Sequence, residues 1–133
     1  MIFKTKKDKK YTYLEAGEGH PMVLLHGLMG GLSNFDKMIN FFSDKGYQVF
    51  VPQLPIYDLP ILHTNLTSIS KFVAKFITDV VGKPVTIVGN SMGGHIGLIL
   101  VTSRPELVRN LVLTGSSGLY ERTFGDSFPR KSD

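Results

Sequence analysis

Val85-Thr86-Ile87-Val88-Gly89-Asn90-Ser91-Met92-Gly93-Gly94-His95-Ile96 is the stretch on which the reading of this chain turns. The apolar, β-branched run at 85–88 predicts a buried strand, and the stretch from Gly94 to Val101 predicts a helix. Ser91 falls on the sharp turn between them, the arrangement that presents a nucleophilic serine. At such an apex the serine backbone is held in a sparsely allowed conformation that persists only where its surroundings fix it. Gly89 and Gly93, two positions to either side, omit the Cβ atoms that would collide where strand and helix pass closely. The hydroxyl then stands above the sheet, and the first free N–H groups of the helix point at whatever binds there. Ser91 is the candidate nucleophile.

Working outward, Met22-Val23-Leu24-Leu25 is apolar on both faces, as a central strand covered on both sides must be. It runs into a second glycine-rich turn, His26-Gly27-Leu28-Met29-Gly30-Gly31. Ser33, with Asp36 three positions on, reads as a helix N-cap. That helix carries Phe35, Met38, Ile39 and Phe42 at helical spacing and is expected to end near Gly46. Residues 47–51 read as a strand stopped by Pro52, and 53–65 as a proline-containing loop. A second helix is expected from Thr67 or Ser68 to about Val81, with Ile69, Phe72, Val73, Phe76, Ile77 and Val80 on one buried face. Residues 108–113 form the next strand, while 2–6 and 11–15 alternate as a hairpin joined by a lysine turn. The predicted class is α/β: a mostly parallel sheet with helices on both faces, entered through an antiparallel hairpin.

At 133 residues and 42% apolar content the chain is long enough for one core and too short for two. With no cysteine, disulfides and thiolate metal sites are excluded, and a cytoplasmic location is expected. No apolar stretch has the length of a signal peptide core or a membrane span, so no membrane partner is expected. The net charge of +4 comes largely from Lys4, Lys6, Lys7, Lys9 and Lys10. This cluster reads as a solvated hairpin turn, and it lacks the aromatic or glycine interleaving of a nucleic-acid motif. No His, Asp or Glu pair has ligand spacing on one element, so no metal and no cofactor are expected. The glycine-rich turns lack both G-x-G-x-x-G and the P-loop lysine, which argues against a nucleotide-binding domain. Gly93 and Gly97 are spaced as G-x-x-x-G, read here as close strand–helix packing.

The two glycine-rich turns lie some sixty residues apart, each at the carboxyl end of a central strand. In an open α/β sheet ligands bind at that end, so both turns are expected to face one crevice. Acyl transfer needs a nucleophile, a base, a group that orients the base, and donors for the developing oxyanion. His26-Gly27-Leu28-Met29-Gly30 before a helix, with Gly89-Asn90-Ser91-Met92-Gly93-Gly94 later, resembles the α/β-hydrolase superfamily, and most closely its esterase and carbon–carbon-bond hydrolase branch. The resemblance implies Ser91 as nucleophile, with the backbone N–H groups of Leu28 and Met92 as the oxyanion hole. It implies a small-molecule acyl or carbonyl substrate.

Two departures from that pattern stand out. Pro52-Gln53-Leu54-Pro55-Ile56-Tyr57 occupies a loop where the family usually has an aspartate and a glycine-rich turn. The acid and base histidine of the family follow the nucleophile in chain order, after later strands. The resemblance therefore implies the first six of eight strands here, with 1–118 as core and 119–133 as the start of a cap. Among the residues present, His20, His26, His63 and His95, and Asp58, Asp126 and Asp133, have no sequence context that makes a base or an acid of them. The strand at 108–113 is then expected to be an exposed apolar edge prone to self-association. The competing expectation is a non-catalytic receptor or interaction scaffold of the same fold.

Overall fold

The apolar run at 22–25 lies in the middle of a six-stranded mixed sheet. The computed structural model describes residues 4–8, 10–26, 35–55 and 65–115. The strands are β1 (Lys4–Asp8), β2 (Tyr11–Ala16), β3 (His20–Leu25), β4 (Tyr47–Pro52), β5 (Val85–Asn90) and β6 (Val108–Thr114). Their spatial order is β1-β2-β4-β3-β5-β6. The first two neighbouring pairs are antiparallel, and the three from β4 to β6 are parallel. Helices α1 (Asp36–Ser43), α2 (Leu66–Phe76) and α3 (Met92–Ser103) make the crossovers.

Side-chain alternation along β3 divides the core in two. Met22 and Leu24 pack with Phe35 and Ile39 of the α1 segment and with Val49, Val51 and Val88. Val23 and Leu25 face the other way, against Ile69, Val73 and Phe76 of α2 and Ile96 and Leu100 of α3. All four β3 side chains are buried, which explains why the strand reads as a continuous apolar run rather than an alternating one. On the α2 side the hairpin contributes rings: Tyr11 and Tyr13 meet Phe76 edge-on at 5.5 and 5.3 Å. Such pairs add roughly 0.5–1.5 kcal/mol beyond the area they bury. The Tyr11 hydroxyl donates to Asp79 at 2.8 Å, fastening β2 to the chain just past α2.

Several expectations about boundaries are corrected. The hairpin turn is tighter than the lysine cluster suggested, because Lys7 pairs with Thr12 and Asp8 with Tyr11 within the ladder. Lys6 reaches Glu15 at 3.0 Å, and that carboxylate, through its hydrogen bond first and its charge second, raises the lysine pKa. β3 begins at His20, whose N–H donates to the Gly46 carbonyl at 3.0 Å. α1 starts at Asp36 with Phe35 at the capping position, and Ser33 lies outside the described residues.

α2 begins at Leu66, just ahead of the expected start at Thr67 or Ser68, and is capped by Asn65. Its Oδ1 accepts from the N–H groups of those two residues at 2.8 and 3.3 Å. The expected helical stretch to Val81 is continuous, but Ile77–Val81 is wound as a π-helical turn that ends at Gly82, with φ 79°. Asn65→Ala should therefore cost about 1 kcal/mol of stability, read from the urea midpoint at unchanged slope.

Among the described strands β6 is the far edge. Val112 on it is 45% exposed, as expected of an uncovered edge. A groove of about 380 Å³ beside it is lined by Met22, Met38, Phe42, Tyr47, Val88 and Val112, among others. Among the described residues no helix is long and apolar enough to cross a membrane.

Candidate active site

The strand order places one crevice above all others. β3 and β5 are neighbours, yet the chain leaves β3 through α1 toward β4 on one side and β5 through α3 toward β6 on the other. The carboxyl ends of two such strands open a crevice between diverging connections, where ligands bind in open α/β sheets. Leu25 and Gly89 are paired at that end of the sheet, and Ser91 follows directly.

Ser91 adopts φ 57° and ψ −120°. It is the one non-glycine residue with positive φ among the described residues. A side-chain-bearing residue held there stores on the order of 1–3 kcal/mol of strain. What holds it is visible on three sides. From the helix, the N–H groups of Gly94 and His95 donate to the Ser91 carbonyl at 2.9 and 3.3 Å. From β3, the helix can approach only because residue 93 has no side chain: a Cβ there would overlap the Leu25 carbonyl. A Cβ on Gly89 would likewise come within 2.5 Å of the Gly93 carbonyl oxygen and 2.6 Å of the Gly94 Cα. From β6, the Thr114 carbonyl accepts from the Ser91 N–H at 3.4 Å.

Ser91 is half-buried and accessible rather than sealed under its neighbours. Met92 begins α3, so its N–H is one of the donors that a helix start leaves without an intrahelical acceptor. The expected G-x-x-x-G packing is also present: a Cβ on Gly97 would lie 2.6 Å from Leu111 Cδ1 and 3.5 Å from Ile87 Cγ2.

The other candidates separate by position. Leu28, the second expected oxyanion donor, lies outside the described residues, as do His63, Asp58, Asp126 and Asp133. His26 is buried at the carboxyl end of β3, on the same rim as Ser91. His95 is half-buried on α3, one turn into the helix. His20 is at the opposite end of β3 and beside Tyr47, with ring centroids 6.2 Å apart. Among the described residues no side chain hydrogen-bonds the Ser91 hydroxyl, and no cluster of His, Asp and Glu has the composition of a metal site.

Thr114 is the residue that sequence reasoning missed. The predicted strand stopped at Leu113, one position short, whereas the parallel register pairs Asn90 with Thr114. A second cavity, of about 390 Å³ between α2 and α3, is floored by Ala74, Ile99 and Leu100. It lies on the helices, and the Ser70 and Ser103 hydroxyls on its wall already donate to the carbonyls of Leu66 and Ile99. It offers no acyl chemistry.

A family model described as the alpha/beta hydrolase fold matches residues 20–131. The chain belongs to the α/β-hydrolase family. Among the relatives of this α/β-hydrolase family member is 2-hydroxy-6-oxo-6-phenylhexa-2,4-dienoate hydrolase of Comamonas testosteroni. It is 33% identical over 80% of this chain and 40% of its own length. (E)-2-((N-methylformamido)methylene)succinate hydrolase of Acinetobacter baylyi is 30% identical over 92% of this chain and 48% of its own. Among solved structures, an α/β hydrolase enzyme from the metagenome of sediments from the lagoon of Mar Chica, Morocco, superposes with a TM-score of 0.82. It shares 48% identity over 89% of this chain and 54% of that one. The chain thus spans about half the length, or less, of these relatives.

Proposed function

We propose that this chain carries the nucleophile and oxyanion-binding part of a serine hydrolase that acts on an ester, a thioester or a related carbonyl. The observation that carries this reading is the Ser91 backbone, φ 57° at the mouth of the β3–β5 crevice in the capping position just before α3. A serine bears that strain for no packing reason, since its side chain is half-buried. In this reading the Ser91 oxygen adds to the carbonyl carbon while its proton passes to a histidine that lies beyond this chain. The carbonyl oxygen, now negative, accepts from the N–H groups of Met92 and Leu28 and from the positive end of the α3 dipole. Each such donor is worth about 3–4 kcal/mol of transition-state stabilisation. The relatives' names give their substrates as oxo-dienoates and an amido-methylene succinate, so small carbonyl-bearing acids are the first class to try. We place the protein in the cytoplasm, where a chain with no cysteine is at home. We infer that β6, where no rest of the sheet covers it, drives self-association.

The test is chemical. In a polypeptide that continues this chain to the length of its relatives, a fluorophosphonate probe should label Ser91, and Ser91→Ala should abolish labelling. The 133-residue chain by itself should hydrolyse p-nitrophenyl acetate no faster than its Ser91→Ala variant. An unlabelled Ser91 in the longer polypeptide returns the decision to a non-catalytic scaffold. A serine-dependent burst from the short chain would mean that the base is inside it.

A further inference from the structure

We propose that Thr114 is a positioning residue for Ser91, an inference that rests on the nucleophile assignment above. The carbonyl and the hydroxyl of this one residue reach the three residues that form the front of the turn. Its carbonyl accepts from the Ser91 N–H at 3.4 Å. Its hydroxyl lies 3.3 Å from Asn90 Oδ1 and 3.5 Å from the Gly89 carbonyl. Both hydroxyl distances are longer than the usual O–H···O bond, so each contact alone is weak and the hydroxyl acts through the pair.

The register gives the grip its meaning. Asn90 and Thr114 are the last paired residues of β5 and β6. Beyond them the two chains part: β5 enters the Ser91 turn, and β6 enters Gly115 at φ 55°. A Cβ on Gly115 would stand 3.3 Å from Asn90 Oδ1, so the residue after Thr114 still passes close to the Asn90 side chain. The sheet ladder would end here in any case. The threonine hydroxyl adds a tie that the ladder does not supply, at the point where the strained residue begins. The helix-side bonds hold the peptide after Ser91 through its carbonyl, and Thr114 holds the peptide before it through the Ser91 N–H. A nucleophile displaced by about 1 Å can lose on the order of 100-fold in rate, so the tie bears on chemistry without touching substrate.

Valine matches threonine in shape and strand preference while deleting the hydroxyl. In the longer, competent polypeptide Thr114→Val should lower kcat and the rate of fluorophosphonate labelling about 10- to 100-fold, with KM within about twofold of wild type. Thr114→Ser, which keeps the hydroxyl, should recover labelling to within about threefold. Asn90→Ala removes the hydroxyl's partner from the other side, so it should lower the labelling rate similarly and add little to Thr114→Val in the double variant. It also answers the question if Thr114→Val does not fold. The proposal is overturned if Thr114→Val labels at the wild-type rate, or if Thr114→Ser is as slow as Thr114→Val. It is overturned equally if the Asn90 and Thr114 effects simply multiply. Ser91→Ala in the same assay separates the two layers. A silent Ser91→Ala beside a normal Thr114→Val rejects the positioning role alone, whereas a labelled Ser91→Ala rejects the nucleophile.

Discussion

Gly93→Ala is expected to destabilise this chain by about 3 kcal/mol or more. The added Cβ would overlap the carbonyl of Leu25, and it would stand 2.5 Å from the Leu25 carbonyl carbon. A side chain can yield by changing rotamer. The Leu25 peptide cannot do so, because it is backbone of a central strand paired there with Gly89 of β5. Either α3 lifts away from β3, breaking its contacts through Ile96 and Leu100, or β3 distorts. Two other glycines calibrate the effect. A Cβ on Gly97 meets the far end of the Leu111 side chain, which can swing, so Gly97→Ala should cost about 1 kcal/mol. Gly46 has φ 92° and open space around its missing Cβ, so Gly46→Ala should pay about 1–2 kcal/mol for backbone conformation alone. Urea unfolding followed by far-UV circular dichroism orders the three, since the sequence has no tryptophan to report. If Gly93→Ala were no worse than Gly46→Ala, the close approach of α3 to β3 would be wrong, and the placement of Ser91 with it.

The glycines between residues 89 and 97 show what was legible in the sequence. Residues 89–97 announce a strand, a tight turn and a helix because the chemistry of close approach leaves few residue types, and those types are visible without coordinates. The double-sided burial of β3 was equally readable from four consecutive apolar residues. Boundaries were harder, for reasons that are local. Thr67 and Ser68 are good capping residues by type, yet Asn65 caps α2, because the residue that reaches back to the second and third N–H groups depends on the backbone angle before the helix. The lysine cluster looked like a turn, but strand pairing extended the ladder through Lys7 and Asp8. Thr114 was invisible for a deeper reason. Its importance comes from the register between β5 and β6, a contact 24 residues away in sequence, and no local pattern encodes it.

Ser91 itself should separate stability from activity most sharply. In the competent polypeptide Ser91→Ala is expected to reduce turnover by at least about 10⁴-fold, because alanine has no hydroxyl to add to the carbonyl carbon. The folded chain should scarcely register that change. Alanine keeps a Cβ, so it inherits the same φ of 57°, and the lost hydroxyl has no partner among the described residues. Ser91→Gly removes the same hydroxyl and also relieves the backbone, so it should be more stable than Ser91→Ala by about 1 kcal/mol. The relief of left-handed strain outweighs the greater freedom of an unfolded glycine. The expected pattern is two equally inactive variants with different urea midpoints, glycine above alanine. A residue selected for packing would give the opposite order, since glycine would then lose contacts that alanine keeps. Strain at a half-buried serine is tolerated where activity needs it, and relieving it should yield a sturdier, inert protein.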